Sequence, residues 1–174
     1  MSITDDLLRS NQTYAENFHS GDLAMPPARK VAIVACMDAR LTIEPMLGLK
    51  TGDAHIIRNA GGVATEDVVR SLIISRHLLG TQEVMVINHT DCGMLTFRDD
   101  ELRDRLRRET GTLAVVPVAF HAFRDVQKNV SDQLARLRAH PWIPREMTIR
   151  GFVYDVKSGR LVEVRPAAEE RKAA

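Results

Sequence analysis

Two uninterrupted runs of β-branched and aliphatic residues, at positions 31–35 and 84–87, constrain the fold of this chain more than any other feature. Such runs are typical of strands that are buried on both faces of a parallel sheet. Segments with helical spacing separate them from each other and from further strand-like segments. This alternation of strand and helix predicts an α/β fold, with a mainly parallel sheet flanked by helices.

The other predicted elements complete this pattern. Strands are expected at residues 54–59, 148–156 and 160–164, the last two forming a hairpin around Lys157-Ser158-Gly159. Helical spacing predicts helices at residues 3–19, at 41–49, between Thr65 and Gly80, from just after Cys92 to about 109, and at 120–138.

The length of 174 residues fits one domain with a sizeable core. We divide it into an N-terminal helical arm over residues 1–25, a body, and a flexible tail over residues 166–174. The first helix carries one apolar stripe. That stripe fits packing against either its own domain or a partner subunit, and packing against its own domain is the default.

Composition argues against several classes of protein. The net charge is +1 and the charges are interspersed, whereas nucleic-acid and membrane-surface binding need a concentrated basic face. No stretch approaches the ~20 apolar residues of a membrane span, and the first residues lack the features of a signal peptide. We therefore expect a cytoplasmic protein. Because thiols stay reduced there, the two cysteines are expected to be ligands or catalysts rather than a disulfide.

Both cysteines follow predicted strands. Cys36 follows the strand at 31–35, and His89 and Cys92 follow the strand at 84–87. In a sheet of order 2-1-3-4 these strands are neighbours, and their carboxyl ends border one crevice. Cysteine and histidine are ligands that zinc prefers, and three such ligands are typical of a catalytic zinc that keeps one position for water. The alternative is a core histidine beside buried cysteines that serve only packing.

Asp38 and Arg40 come directly after Cys36. An arginine can hold a carboxylate with two hydrogen bonds and keep it ionised near neutral pH. Asp38 could then orient a water molecule on the metal, or bind the metal itself as a fourth ligand. A third interpretation is that Asp38 only caps the following turn.

The chain resembles the β-class carbonic anhydrases, most closely their small prokaryotic branch, which also includes carbonyl sulfide hydrolases. The resemblance lies in a closing hairpin at 151–155 and in three motifs, Cys36-x-Asp38-x-Arg40, Arg58-Asn59-Ala60 and His89-x-x-Cys92-Gly93.

This resemblance implies one Zn²⁺ per chain, bound by Cys36, His89 and Cys92, and a catalytic dyad of Asp38 and Arg40. It implies the zinc-dependent, reversible hydration of carbon dioxide to bicarbonate and a proton, by a zinc-bound hydroxide that the dyad orients. The whole chain, residues 1–174, would be a single domain of this type.

The resemblance also implies a sheet of order 2-1-3-4 with a fifth strand at the edge. The expected assembly is a homodimer or a dimer of dimers, in which the N-terminal arm lies across the partner. Carbon dioxide would enter a small apolar pocket near Ala60 and Gly61, and the backbone N–H of Gly93 would contact the product. Three histidines are candidate proton shuttles, namely His55, His77 and His121.

Three positions depart from the family pattern or match it only in part. Many relatives carry a glutamine that helps to bind bicarbonate in the segment that here reads Met25-Pro26-Pro27. Relatives with a regulatory bicarbonate site carry a tryptophan where this chain has Ile33. Arg58 matches another part of that site but is equally consistent with a structural role, so we do not predict inhibition by bicarbonate.

Three alternative functions stay open. The nearest is hydrolysis of carbonyl sulfide or carbon disulfide at the same zinc site. A non-catalytic zinc-binding regulator, with Asp38 as a permanent fourth ligand, is the second. A thiol redox protein is the third, and the absence of a Cys-x-x-Cys pair argues against it.

Overall fold

The computed structural model of the chain describes residues 2–112 and 119–165. Its strands are β1 (Val31–Cys36), β2 (Ala54–Asn59), β3 (Glu83–His89), β4 (Thr148–Tyr154) and β5 (Leu161–Val164). In the described part of the chain they form one sheet of order β2-β1-β3-β4-β5. The first four strands are parallel, and β5 pairs antiparallel with β4 at the edge. The predicted α/β class, strand order and edge strand are confirmed.

The helices of these two segments are α1 (Ile3–Glu16), α2 (Ile43–Leu47), α3 (Glu66–His77), α4 (Asp99–Thr110) and α5 (Val126–Ala139). Single 3₁₀ turns, Ala60–Gly62 and Gly93–Leu95, follow β2 and β3. No helix within the described segments combines the length and the apolar character that a membrane span requires.

The uninterrupted apolar runs are explained by burial on both faces of the sheet. Ala32 and Val34 of β1 face a core that α3 and α5 cover, whereas Ile33 and Ala35 face a second core. All four are at most 1% exposed. The second core also contains both cysteines, so the candidate site borders a well-packed layer.

The predicted helix after Cys92 begins later than expected. A 3₁₀ turn comes first, in which the N–H of Leu95 donates to Cys92 O (3.0 Å). The hydroxyl of Thr96 donates to Gly93 O (2.7 Å) and helps to close this turn. The chain then runs extended through Arg98, and α4 begins at Asp99. The α-helix therefore does not start directly after Cys92, which is the N-cap residue of the 3₁₀ turn instead.

The start of the last helix also differs from the prediction. Helix α5 begins at Val126, capped by the side chain of Asp125, and not at residue 120. The Asp99 carboxylate accepts hydrogen bonds from the backbone N–H groups of residues 120–122, at 2.8 to 3.2 Å. These bonds satisfy the backbone of the segment without a helix.

Helix α1 buries none of its residues. The large apolar side chains at this end of the chain are 45% to 75% exposed, namely Ile3, Leu7, Leu8, Tyr14 and Phe18. Packing of the stripe against its own domain, the default expectation, is therefore not what the structure shows. The predicted flexible tail, residues 166–174, lies outside the described residues.

Candidate metal centre

Cys36, His89 and Cys92 meet at one edge of the sheet. Strands β1 and β3 are parallel neighbours, with Ala35 opposite Ile87, so their carboxyl ends lie side by side. The two sulfur atoms and a ring nitrogen of His89 all lie within 4.8 Å of one another. Each of the three residues is at most 4% exposed. The structure thus brings together the three residues that the sequence predicted as ligands.

The imidazole of His89 is oriented with one nitrogen toward this cluster. Its Nδ1 lies 2.8 Å from Thr90 O, which can only accept, so Nδ1 carries the proton and Nε2 has a free lone pair. Among the described residues, buried Nε2 has no hydrogen-bond partner. A buried polar atom without a partner is unusual and costly, so the proximity of Nε2 to two thiols makes it a candidate metal donor.

The donor set fits a zinc ion. Zinc binds thiolate sulfur at about 2.3 Å and imidazole nitrogen at about 2.0 to 2.1 Å, so donor atoms within 4.8 Å of one another can share one ion. Sulfur and nitrogen ligands favour zinc over magnesium or calcium, which prefer oxygen. The residues present therefore fit the group that the sequence predicted.

The two thiols titrate differently without a metal. A hydrogen bond with Cys92 lowers the pKa of Cys36 to about 4, with help from the backbone N–H groups of Asp38 and Gly61 and against the effect of burial. The same hydrogen bond, together with burial, raises the pKa of Cys92. A metal that binds both sulfurs must displace any proton that the thiols carry.

Asp38 and Arg40 form the ion pair that the sequence predicted. Arg40 donates from Nε to Asp38 Oδ1 (2.9 Å) and from Nη2 to Oδ2 (2.8 Å). This pairing holds the pKa of the Asp38 carboxyl well below its ordinary value. Asp38 Oδ1 also accepts from the backbone N–H of Arg40, so the turn-capping interpretation holds as well. Asp38 Oδ2 lies 3.7 Å from His89 Nε2, at the border of the cluster.

Asp91 is a further partner of Arg40 that sequence reasoning missed. Arg40 donates from Nη1 to Asp91 Oδ2 (2.7 Å) and from Nη2 to Asp91 O (2.9 Å). One guanidinium therefore joins the loop after β1 to the loop after β3. Asp91 stands between His89 and Cys92 in the motif, but an ion pair across 51 positions gives no local signal.

Arg58 holds the backbone of the loop after β1. Its Nη2 donates to Cys36 O (2.9 Å) and to Asp38 O (2.7 Å), and its Nε donates to Cys36 O (3.1 Å). These bonds fix the carbonyl groups on either side of Met37. Of the two interpretations of Arg58, the structure therefore supports the structural one.

The residues predicted to contact the substrate lie on the two 3₁₀ turns. Ala60 is exposed and Gly61 is buried in the turn after β2. A side chain at Gly61 would lie 3.1 Å from both Met94 Cγ and Phe123 Cε1, so an apolar wall borders this glycine. Gly93, in the other turn, has no atom within 4 Å of its own Cβ position. Contact of these residues with a substrate stays a prediction.

Two of the three candidate proton shuttles have partners elsewhere. His55 Nδ1 lies 2.7 Å from Ser75 Oγ, near the amino end of β2, and His77 Nε2 donates to Trp142 O (2.8 Å). His121 lies in the segment that Asp99 holds. A shuttle role for any of them stays a prediction.

Comparison with known proteins shows which family the chain belongs to. The family model described as carbonic anhydrase matches residues 31–161. β-Carbonic anhydrase 1 of Mycobacterium tuberculosis is 48% identical over 167 residues, which cover 95% of this chain and 100% of that protein. This chain belongs to the β-carbonic anhydrase family. The resemblance inferred from its motifs is confirmed.

Solved β-carbonic anhydrase-like structures support the same assignment at the level of the fold. The crystal structure of carbonic anhydrase from Streptococcus mutans superimposes with a TM-score of 0.90 at 44% identity, covering 95% of this chain and 99% of that one. The family also has relatives with another named activity. Carbon disulfide hydrolase of Saccharolobus solfataricus is 36% identical over 159 residues, covering 79% of this chain and 78% of that protein.

Proposed function

We propose that this chain catalyses the reversible hydration of carbon dioxide to bicarbonate and a proton, with one Zn²⁺ bound per chain by Cys36, His89 and Cys92. The observation that carries the proposal is the convergence of two buried thiols and an unpaired imidazole nitrogen on one point. The β-carbonic anhydrases that resemble this chain at 48% identity support the same reaction.

Zinc bound by these donors would lower the pKa of a water molecule at its fourth position and so supply hydroxide near neutral pH. Two thiolates balance the charge of the ion, and a neutral histidine adds none. The chain's task is then to hold a neutral, three-donor site. Thr90 O contributes by fixing the His89 tautomer that leaves Nε2 free to bind.

We propose that Asp38 accepts a hydrogen bond from the attacking water. It is ionised at neutral pH because Arg40 pairs with both of its oxygens. An ionised carboxylate can only accept hydrogen bonds, so it orients the water with a lone pair toward the substrate. Arg40 positions Asp38, and Asp91 in turn positions Arg40.

Asp38 also has a second proposed state. Its Oδ2 lies 3.7 Å from His89 Nε2, so the carboxylate is near enough to the cluster to be a candidate fourth ligand. A site closed by Asp38 in this way would exclude water and be inactive. We expect the closed state to gain population below neutral pH, and a flat activity profile from about pH 6 to 9 would contradict it.

The proposed substrate pocket lies beside the turn after β2. Carbon dioxide is small and uncharged, so an apolar wall beside Gly61, formed by Met94 and Phe123, suits it. We propose that Ala60 borders the entrance and that the Gly93 N–H contacts the product oxygen. The Cβ position of Gly93 has no neighbouring described atom within 4 Å, so the turn is open on that side.

Hydrolysis of carbonyl sulfide or carbon disulfide is the second candidate function. The carbon disulfide hydrolase relative favours it, since 36% identity extends over most of both chains. The same nucleophile attacks the same kind of linear, apolar molecule, so access to the pocket decides between the substrates. A zinc-binding regulator closed by Asp38 is the non-enzymatic alternative.

We also propose a cytoplasmic homodimer or dimer of dimers. The exposed apolar stripe of α1 supports assembly, because a helix that buries none of its residues gains little by folding alone. A partner subunit would cover that stripe. Both cysteines are free thiols, which suits a reducing compartment.

Stopped-flow measurement of carbon dioxide hydration, beside release of hydrogen sulfide from carbonyl sulfide and carbon disulfide, tests the proposal. Zinc-loaded wild type should hydrate carbon dioxide at a rate far above any sulfide release. Cys36→Ala should lose both the metal and the activity. Bound zinc without hydration at any pH would favour the regulator, and faster sulfide release would favour the second candidate.

A further inference from the structure

The glycine turn, which we define as residues 60–64, is pressed against the first metal ligand. Gly62 has φ +60°, and a Cβ there would lie 2.9 Å from Cys36 N and 2.8 Å from Asn88 Nδ2. The same Cβ would also lie 3.0 Å from Ile87 O, so the turn packs directly against the ends of β1 and β3. The position of this turn therefore sets the surroundings of the Cys36 thiolate.

Three buried amides hold the turn from the opposite side. The N–H of Ala64 donates to Gln133 Oε1 (3.0 Å), and Gln133 Nε2 donates to Asn129 Oδ1 (2.9 Å). Asn129 Nδ2 donates to Asn88 Oδ1 (2.6 Å), and Asn88 Nδ2 donates to Gly62 O (3.2 Å). We call Asn88, Asn129 and Gln133 the amide relay. It begins and ends on the glycine turn.

The direction of the relay is fixed by its two ends. A backbone N–H such as that of Ala64 can only donate, and a carbonyl such as Gly62 O can only accept. Every amide between them must therefore present its oxygen to one side and its nitrogen to the other. Reversal of any one amide would place like groups against each other, so the relay holds the turn in a single orientation.

The relay is buried and its amides are paired. Its three residues are 1% to 7% exposed, and each amide is hydrogen-bonded to its neighbours, as buried polar groups require. Asn59 secures the same turn again, through Nδ2 to Val63 O (2.8 Å) and Val63 N–H to Oδ1 (2.9 Å). Side-chain amides thus hold four consecutive backbone groups.

The relay also connects two metal-binding segments. Asn88 directly precedes His89 on β3, and its amide reaches the turn that contacts Cys36. A shift of α5, which carries Asn129 and Gln133, would therefore move the turn relative to both ligands. Helix α5 contributes no residue to the metal cluster, and these amides are a polar connection between the helix and the turn beside Cys36.

We propose that the amide relay is a positioning device for the metal site. It keeps Gly62 packed against the backbone N–H of Cys36 and ties Asn88, the residue before His89, to the same turn, and so sets the ligand geometry and the metal affinity. Asn88, Asn129 and Gln133 are positioning residues, since none belongs to the Cys36, His89 and Cys92 cluster. The inference rests on the proposed function, because it presupposes that the three-donor site binds a metal.

Two relay variants and one matched control test the proposal. Asn129→Leu removes the middle amide, and Gln133→Met removes the acceptor of the Ala64 N–H while nearly keeping side-chain volume. Ser75→Ala is the control, because it breaks a comparably buried polar network (Ser75 is 3% exposed) that joins His55 to Thr81 and does not touch the glycine turn.

Cobalt(II) is the probe, since its visible absorption reports the geometry of bound thiolates independently of activity. Both relay variants should shift the thiolate-to-cobalt bands, weaken zinc affinity in chelator competition about 10-fold, and lower kcat/KM for hydration to a similar degree. Ser75→Ala should lower the melting temperature while leaving the spectrum and the affinity as in wild type.

A folded relay variant with the wild-type spectrum and affinity would overturn the inference while leaving the proposed function intact. Equal spectral shifts in Ser75→Ala would also overturn it, since general destabilisation would then explain them. If wild type itself binds neither cobalt nor zinc, the proposed function fails first. If Asn129→Leu does not fold, Gln133→Met can still be compared with Ser75→Ala, because Gln133 contacts β3 in the relay only through Asn129.

Discussion

Gly62→Ala isolates the close approach of the glycine turn to Cys36. The new Cβ would lie 2.8 Å from Asn88 Nδ2, 2.9 Å from Cys36 N and 3.0 Å from Ile87 O. Two of these three atoms belong to backbone in the central strands, and the third is held in the amide relay. None can move without disturbing the end of β1 or β3.

Gly80→Ala is the matched control for this substitution. Gly80 also has a left-handed backbone, with φ +75°, but no atom lies within 4 Å of its Cβ position. Both variants therefore carry the cost of a left-handed alanine, about 1 to 2 kcal/mol. Only Gly62→Ala adds overpacking, which costs about 1 to 3 kcal/mol.

The difference between the two variants is the measurable quantity. For a chain of 174 residues, each 1 kcal/mol lowers the melting temperature by roughly 2 to 4 °C. Gly62→Ala should therefore melt about 2 to 12 °C below Gly80→Ala in thermal unfolding at fixed zinc and protein concentrations. It should also bind zinc more weakly, because relief of the clash displaces Cys36. Equal melting temperatures for the two variants would refute the close packing described here.

Three further predictions concern the dyad, a loop and the arm. Asp38→Asn should keep one zinc per chain but lose about 100-fold or more in hydration rate, measured by stopped flow; an undiminished rate would contradict the role of Asp38. Burial opposes ionisation of Asp99, but hydrogen bonds from the N–H groups of residues 120–122 outweigh it and lower the pKa of Asp99. The ionised carboxylate therefore stabilises the folded state above about pH 4, the pKa of an unfolded aspartate. This contribution is lost as the pH falls through the lower pKa of the folded state. Asp99→Asn should therefore show a smaller loss of melting temperature between about pH 6 and 3, and an unchanged loss would argue against it. Leu7→Glu combined with Leu8→Glu should convert the proposed homodimer to a monomer in light scattering, and an unchanged oligomeric state would show that α1 is not the interface.

The features that followed from the sequence are those that depend on local pattern and strand adjacency. Residues 31–35 had to be a buried strand because every position is apolar, and both faces of β1 are indeed covered. Cys36 and His89 could be placed together because parallel neighbours end at the same edge of a sheet. The positions of helix starts were less reliable, since the hydroxyl of Thr96 closes a turn that helical spacing does not reveal.

The contacts that support the site could not be inferred in this way. Arg40 contacts Asp91 across 51 positions, and Ala64 contacts Gln133 across 69. Such pairs depend on how loops and helices pack on the sheet, and one asparagine or glutamine in a sequence has no periodicity that marks it as buried. The convergence of the candidate ligands was therefore predictable, whereas the contacts that hold them in place required the structure.

The most direct test of the account is hydration activity as a function of bound zinc. Purified protein is stripped with a chelator, its metal content is measured, and zinc is returned in steps while stopped flow follows carbon dioxide hydration. Activity should disappear in the stripped protein and rise linearly to a plateau at one zinc per chain. Hydration that persists without zinc, or a chain that binds no zinc at this site, would contradict the central claim.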